Sequence, residues 1–183
     1  MKKTLAASGV AGLAGLALAV CFAAPASAAD TITTVTVGSA GLSITAPTES
    51  DLGTGNPGTT VTDDLGPVTV TDDRALLTAG WTASVIASDF KTGAGTSAET
   101  IPNINVRYWS GAATASTGIG TGTLTPGQAT AAAAAIINVP TTAFSLTGGS
   151  GDNSATWDPT MEIAVPVAAV GGVYTGTVTH SVF

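Results

Sequence analysis

Trp81-Thr-Ala-Ser-Val-Ile-Ala87 is the most regular stretch of the chain. The tryptophan, Ala83 and Val85 fall on one face, while the hydroxyl side chains between them fall on the other. This period of two predicts a β-strand with one buried and one solvated face. Since Trp81 shares the apolar face, we expect its ring to anchor a core between sheets.

Short segments of similar character recur along the chain, separated by glycine and proline. They predict further strands at residues 31–37, 42–44, 68–71, 103–109, 144–146, 161–165 and 174–182. Residues 48–66 are predicted to form an exposed loop. Residues 128–137 combine an alanine run with flanking prolines, which leaves a short helical turn or an irregular edge as alternatives.

The number and spacing of these segments indicate the fold class. About eight to ten short strands with regular turn signals are typical of an antiparallel sandwich. The chain contains 23 glycines and 9 prolines, and no β-α-β spacing is present. We therefore predict an all-β protein, an immunoglobulin-like antiparallel β-sandwich, formed by residues 29–183 as one domain.

The first residues have the pattern of an export signal. Lys2 and Lys3 precede an apolar run at residues 10–20, and Ala26-Ser-Ala28 supplies small side chains for a signal peptidase. Cleavage is expected after Ala28, with Ala29 as the alternative. The apolar run is too short for a stable membrane span. We therefore expect a protein that is secreted, either extracellular or associated with the cell wall.

Cys21 is the chain's one cysteine and lies within this predicted signal. The preceding Leu18-Ala-Val20 has some similarity to a lipoprotein box, so lipidation of Cys21 is an alternative to cleavage after Ala28. If residues 1–28 are removed, the remaining chain has no cysteine. Disulfides and thiolate chemistry are then excluded.

The charge of the processed chain limits its partners. Lys2 and Lys3 leave with the signal, so three basic and twelve acidic residues remain, a net charge of −9. This charge repels phosphate backbones, and nucleic acid is therefore not an expected partner. Only 9% of the residues are charged, so the surface is expected to consist largely of threonine, serine, asparagine and glycine.

The sequence gives little support for catalysis. His180 is the one histidine, and its neighbours Thr179 and Ser181 point to the opposite face of the predicted strand. We expect a packed or hydrogen-bonded imidazole rather than a general base. A small hydrolase remains a minor alternative, and no cofactor is indicated.

Two pairs of aspartates, at residues 63–64 and 72–73, are the other candidates for chemistry. Adjacent carboxylates in a strand point in opposite directions, and those in turns usually accept backbone N–H groups. Calcium binding near Asp72 or Asp152 is an alternative, although neither site has the spacing of an EF-hand. We favour the interpretation that these aspartates stabilise turns.

The three tryptophans and the histidine are the candidate binding residues. Trp109 lies at the end of a predicted strand, and Trp157 follows a glycine loop. Either ring could stack on a sugar at the surface or pack in the core, and the core is favoured. The candidate binding residues are Trp81, Trp109, Trp157 and His180.

Two groups of segments resemble the W-x-L domain of exported Gram-positive surface proteins. The first comprises residues 65–74 and Gly80-Trp-Thr-Ala-Ser-Val85, followed by Phe90; the second comprises residues 172–182. Ala83 stands where this family has leucine, and His180 and Val182 stand where it has a second tryptophan and a leucine. The two groups occur in the family's order and bracket most of the processed chain.

This resemblance implies a secreted β-rich domain held noncovalently at the cell wall. The expected partner is peptidoglycan or another surface glycan, with other exported surface proteins as further possibilities. We therefore expect a non-enzymatic wall-associated domain. The alternative is a carbohydrate-binding or adhesive structural subunit of a larger extracellular assembly.

Overall fold

The structure is a computed structural model that describes residues 32–183. The predicted signal peptide, its cleavage site and Cys21 lie outside the described residues. The chain divides into a unit of residues 1–35 and a compact unit, Thr36–Phe183. All the core residues belong to the second unit.

The compact unit is built from short strands, and residues 32–183 contain no α-helix. Three 3₁₀-helical turns occur at Ser97–Glu99, Asn103–Asn105 and Ala131–Ala133. The first seven strands are β1 (Leu42–Thr45), β2 (Thr60–Asp64), β3 (Val68–Asp72), β4 (Ala79–Ala87), β5 (Phe90–Lys91), β6 (Thr100–Ile101) and β7 (Val106–Trp109). The other seven are β8 (Ala113–Thr117), β9 (Thr123–Pro126), β10 (Ala135–Ile136), β11 (Thr141–Gly149), β12 (Asn153–Trp157), β13 (Thr160–Ala164) and β14 (Val178–Val182).

The strands form three four-stranded sheets and one small hairpin. The first sheet has the order β1-β3-β12-β8, the second β10-β7-β13-β2, and the third β14-β4-β11-β9. Strands β5 and β6 pair with each other. Every strand pairing is antiparallel. The prediction of an all-β, antiparallel fold is therefore confirmed.

The first two sheets are connected through three bends. Strand β2 leads into β3, β7 into β8, and β12 into β13, so three chain segments contribute one strand to each sheet. At one bend, the Leu65 N–H donates to the Pro159 carbonyl at 2.8 Å, which links two of these crossings. Proline and glycine suit such corners, because they interrupt the ladder where a strand changes sheet.

The third sheet packs across both of the others to enclose the core. Phe144 of β11 stacks on Trp157 of β12, with ring centroids 4.9 Å apart and an interplanar angle of 21°. The ring centroids of His180 in β14 and Tyr108 in β7 lie 5.7 Å apart. Contacts from the third sheet to the first and to the second give a sandwich-like arrangement with one continuous core.

A buried chain of polar groups joins the third sheet to the first. The Trp81 indole N–H donates to Asn153 Oδ1 at 3.0 Å, and the Asn153 amide donates to Asp72 Oδ2 at 3.3 Å. The Asp72 carboxylate also accepts two hydrogen bonds from the Arg74 guanidinium. The same guanidinium donates to the Gly80 carbonyl. The Arg74 hydrogen bonds lower the pKa of Asp72, so the buried carboxylate stays charged and paired.

Most of the predicted strands are confirmed, with differences at their ends. The predicted strand at residues 31–37 is wrong for residues 32–37, which are exposed and lie outside any strand. The prediction rested on β-branched content and on Val35 and Val37 sharing a face, and neither feature supplies a partner strand. Residues 103–105 form a 3₁₀ turn rather than the start of β7.

Several strands were not predicted from the sequence, and one predicted loop contains a strand. Strands β5 and β6 have only two residues each, which is too short to show a period. Strands β8, β9 and β12 are rich in small or hydroxyl residues, so their sequences give a weak apolar signal even though β12 buries alternate residues. The predicted loop at residues 48–66 contains β2, which has Val61 as its one apolar residue and pairs with β13. Main-chain pairing, rather than side-chain burial, defines exposed strands such as β2 and β8.

None of the helical segments within residues 32–183 has the length and apolar character needed to cross a membrane.

Truncation of Trp81 tests the core and its polar chain. Trp81 is 3% exposed, so Trp81→Ala should lower the free energy of unfolding by about 3–5 kcal/mol, measured by urea denaturation. Trp81→Phe keeps most of the apolar volume but leaves Asn153 Oδ1 without its donor, so its loss should be smaller. An unfolding midpoint unchanged in Trp81→Ala would contradict the placement of this ring.

Candidate functional site

Two of the candidate tryptophans lie in the core. Trp81 of β4 and Trp157 of β12 are buried, and each uses its indole N–H inside the protein. Trp157 donates to the Tyr108 hydroxyl at 3.0 Å. The predicted core position of Trp81 is confirmed. For Trp157, the structure shows packing in the core rather than a position at the surface. In this arrangement a sugar ring has no access to the Trp157 face.

Trp109 lies on the face of the second sheet that is turned away from the core. It is half-buried at the end of β7 and points away from Tyr108, which is buried. Its partner across the ladder is Thr160, and Arg107 shares its face of the strand. Trp109 is therefore the candidate tryptophan with surface available for a ligand.

His180 joins a second buried polar chain, which connects all three sheets. The Tyr108 oxygen accepts a hydrogen bond from the Trp157 indole N–H. The Tyr108 hydroxyl can therefore donate its own proton to His180 Nε2, which lies 3.3 Å away. Among the described residues, His180 Nδ1 is buried and has no hydrogen-bond partner. The half-buried ring is therefore hydrogen-bonded to a core residue through Nε2.

The two titratable side chains of this polar network, His180 and Tyr108, are neutral at physiological pH. Burial lowers the pKa of His180 to about 4, because the protein interior solvates an imidazolium poorly. Burial also raises the pKa of Tyr108, and the Trp157 hydrogen bond opposes this only in part. His180 contacts a phenol rather than a serine or a carboxylate, so its surroundings are not those of a hydrolytic base.

The aspartate pairs make local structural contacts. Asp72 is paired with Arg74, Asp63 Oδ1 accepts the N–H of Asp64, and Asp64 Oδ1 accepts the Thr160 hydroxyl. Asp152 Oδ1 accepts the N–H of Ala75. Within residues 32–183, no cluster of three or more His, Cys, Asp or Glu side chains is arranged to hold a metal ion.

A groove of about 540 Å³ lies on the compact unit. Its floor is apolar and includes Phe90, Ile101 and Ile163, which belong to the edge of the core. One wall is the loop of residues 50–57, and the other is the segment 169–176, which we call the strap. A volume of this size suits a small organic ligand or one segment of a polymer.

The groove continues into a second hollow of about 360 Å³. The two share lining residues around Phe90 and Gly176, and the second extends along residues 46–49 to Met161 and His180. Together they form a continuous cleft between the loop of residues 46–57 and the strap with its continuation to β14. Carboxylates of Glu49 and Asp51 line this cleft, and its lining includes no lysine or arginine.

Hydrogen bonds hold the strap against the rest of the sheet structure. The Tyr174 hydroxyl lies 2.9 Å from the Val170 carbonyl and 3.1 Å from that of Ala98, and Thr175 pairs with Lys91. Gly176 lies so close to the Phe90 ring that a Cβ there would meet its atoms at 2.7 Å. Glycine at this position therefore lets the strap pass directly over the aromatic floor.

Sequence reasoning missed this cleft. Its residues come from four distant parts of the chain, and most of them are glycine, threonine, serine or valine, which carry no chemical signature by themselves. The one available signal was the density of glycine in residues 171–176, which sequence reasoning assigned to a turn before the last strand.

Comparison with known protein families, with curated proteins and with solved structures finds no match for this chain.

The pH dependence of stability tests the environment of His180. Between its folded pKa of about 4 and the usual value of 6.5, the unfolded chain binds a proton that the folded chain excludes. This part of the stability is complete above pH 6.5 and is lost as the pH falls through 4, by at most about 1.4 kcal/mol per pH unit. His180→Gln should remove this component, which urea denaturation at a series of pH values measures.

The comparison of the two proteins isolates His180 from the carboxylates, which titrate in both. If the pH profiles of the wild type and His180→Gln remain parallel from pH 7 to pH 4, the histidine is not buried in the neutral form.

Proposed function

We propose that this protein is an exported, non-enzymatic domain of the cell surface or cell wall that binds peptidoglycan noncovalently. The observation that carries the proposal is the cleft between residues 46–57 and the strap. An apolar floor with a rim of hydroxyl groups from serine and threonine is the type of surface that complements a sugar ring. The ring packs its C–H face on apolar atoms and directs its hydroxyls to the rim.

The charge of the cleft favours a particular class of glycan. Glu49 and Asp51 contribute negative charge, and burial keeps His180 neutral at physiological pH. Phosphate-rich wall polymers would be repelled by such a lining. An N-acetylated glycan strand carries little charge along its sugar backbone and is the more compatible ligand.

The sequence features are consistent with this proposal. The N-terminal pattern of Lys2, Lys3, residues 10–20 and Ala26-Ser-Ala28 supports export, and the segments at residues 65–85 and 172–182 resemble the W-x-L domain. We propose an immunoglobulin-like sandwich as the specific form of the all-β fold. The residues of the second W-x-L-like segment form part of the strap and β14, and several of them line the cleft.

A role as an adhesive or structural subunit of a larger assembly is the second candidate. Trp109 favours it, because this half-buried ring lies on the outer face of the second sheet, away from the core. Tryptophan at the surface is common in contacts with proteins and sugars.

Obstruction of the cleft tests the proposed ligand site. Gly171 lines the groove, and a Cβ built there has no neighbour within 4 Å, so Gly171→Trp should fold normally and fill the space above the floor. Binding of residues 29–183 to isolated peptidoglycan sacculi, measured by pelleting, should weaken by about tenfold or more. Soluble N-acetylglucosamine oligomers should compete with the wild-type protein.

Gly41→Trp is the matched control, because its Cβ position is equally open and lies outside the cleft lining. It should retain full binding. Equal binding by Gly171→Trp and wild type would exclude the cleft as the site. Loss of binding in Trp109→Ala alone would place the site on the outer face of the second sheet, and absence of binding by the wild type would refute the proposal.

A further inference from the structure

The segment from Ile32 to Val37 has a strong strand-forming composition but lies outside the sheets. All six residues are β-branched, the side-chain type that suits a pleated sheet best. Ile32 is 93% exposed, Val35 89% and Val37 77%, and the structure assigns none of the six to a strand. A run of exposed β-branched residues, half of them apolar, is the kind of segment that adds to a free sheet edge.

A short connection joins this segment to the first sheet. The β1–β3 pairing extends past Leu42, because the Ala40 N–H donates to the Asp73 carbonyl and the Asp73 N–H donates to the Gly41 carbonyl. Gly38 and Ser39 therefore lie between this pairing and residues 32–37, and a Cβ at Gly38 would meet no atom within 4 Å. Glycine without close neighbours allows many backbone conformations, so the backbone can change direction at this position.

Strand β8 presents the least protected edge of the three large sheets. It has five residues, Ala113–Thr117, of which four are exposed, and none is charged or a proline. Its one ladder partner is β12, so backbone groups on its other side face outward. The other edges are shorter or guarded: β2 contains two aspartates, β9 ends at Pro126, β10 has two residues, and β1 and β14 lie close together.

We propose that residues 32–37 of one copy of this chain pair with β8 of a second copy and extend its first sheet. The donor has six residues and the acceptor five, so their lengths match at about 3.3 Å per residue. The main chain supplies the hydrogen bonds, and Val35 and Val37 project to the same face of the extended sheet.

The distribution of charge favours a second copy as the partner. With its export signal removed, the chain has a net charge of −9, which opposes self-association through most of its surface. Both the donor segment and β8 lack charged residues, so two copies can approach each other there without close like charges. Export would also place the donor a few residues from the new N-terminus, where it is free to reach a neighbour.

Cysteine cross-linking tests this pairing directly. Residues 29–183 contain no cysteine, so single substitutions give unique thiols. Val35→Cys protein mixed with Ser116→Cys protein should give a heterodimer with a short bismaleimide. Val35→Cys mixed with Thr125→Cys, an exposed position on the edge strand β9, is the matched control and should give little product.

Prolines in the donor provide a second measurement. Thr33→Pro together with Thr36→Pro removes one N–H from each side of the donor strand, and both residues are exposed and outside the core. This variant should self-associate at least about tenfold more weakly in sedimentation or light scattering, with an unchanged melting temperature. It should also abolish the Val35→Cys cross-link.

Several outcomes would overturn the proposal. One is a wild-type protein that stays monomeric throughout a concentration series and gives no Val35→Cys to Ser116→Cys product. Another is equal cross-linking to Thr125→Cys, which would indicate random collision. A third is Ser116→Cys homodimer that persists in the proline variant, which would indicate direct pairing of two β8 strands.

Discussion

The burial of two indole rings is the constraint on which the rest of the structure depends. Trp81 and Trp157 supply much of the apolar volume between the sheets, but each also brings an N–H group that needs an acceptor away from water. Trp81 finds it in Asn153, which is held by Asp72 and Arg74; Trp157 finds it in Tyr108. Because both partners come from other strands, satisfying these two donors fixes how the sheets pack.

These polar chains have different electrostatic characters. The hydrogen-bond network that starts at Trp81 ends in a charged pair. In this pair, Arg74 lowers the pKa of Asp72 and keeps a buried carboxylate ionised. The hydrogen-bond network that starts at Trp157 ends in His180, which burial keeps neutral. The network that includes Asp72 requires a charge in the interior, and the network that includes His180 excludes one, so protonation of either group would lower the stability of the fold.

The two proposed interaction surfaces lie at the margins of the core. The cleft lies at one margin of the core, where the strap passes over Phe90 and leaves space beside it. The β8 edge is lined by small residues and contributes little to the core. The proposed glycan site therefore shares its apolar floor with the core, whereas the proposed strand-pairing edge is formed mostly by exposed residues.

The sequence by itself determined the all-β class, the antiparallel pairing, the core position of Trp81 and most strands with clear alternation, because burial of one face leaves a period of two in the residues. It also predicted a packed or hydrogen-bonded imidazole at His180, which contacts the Tyr108 hydroxyl. Only the tertiary structure decided that β2, β8, β9 and β12 are strands, that Trp157 is in the core while Trp109 keeps accessible surface, and that residues 32–37 lie outside the sheets. The cleft also required the fold. Main-chain pairing and the assembly of distant loops depend on neighbours in space, which no local pattern of side chains records.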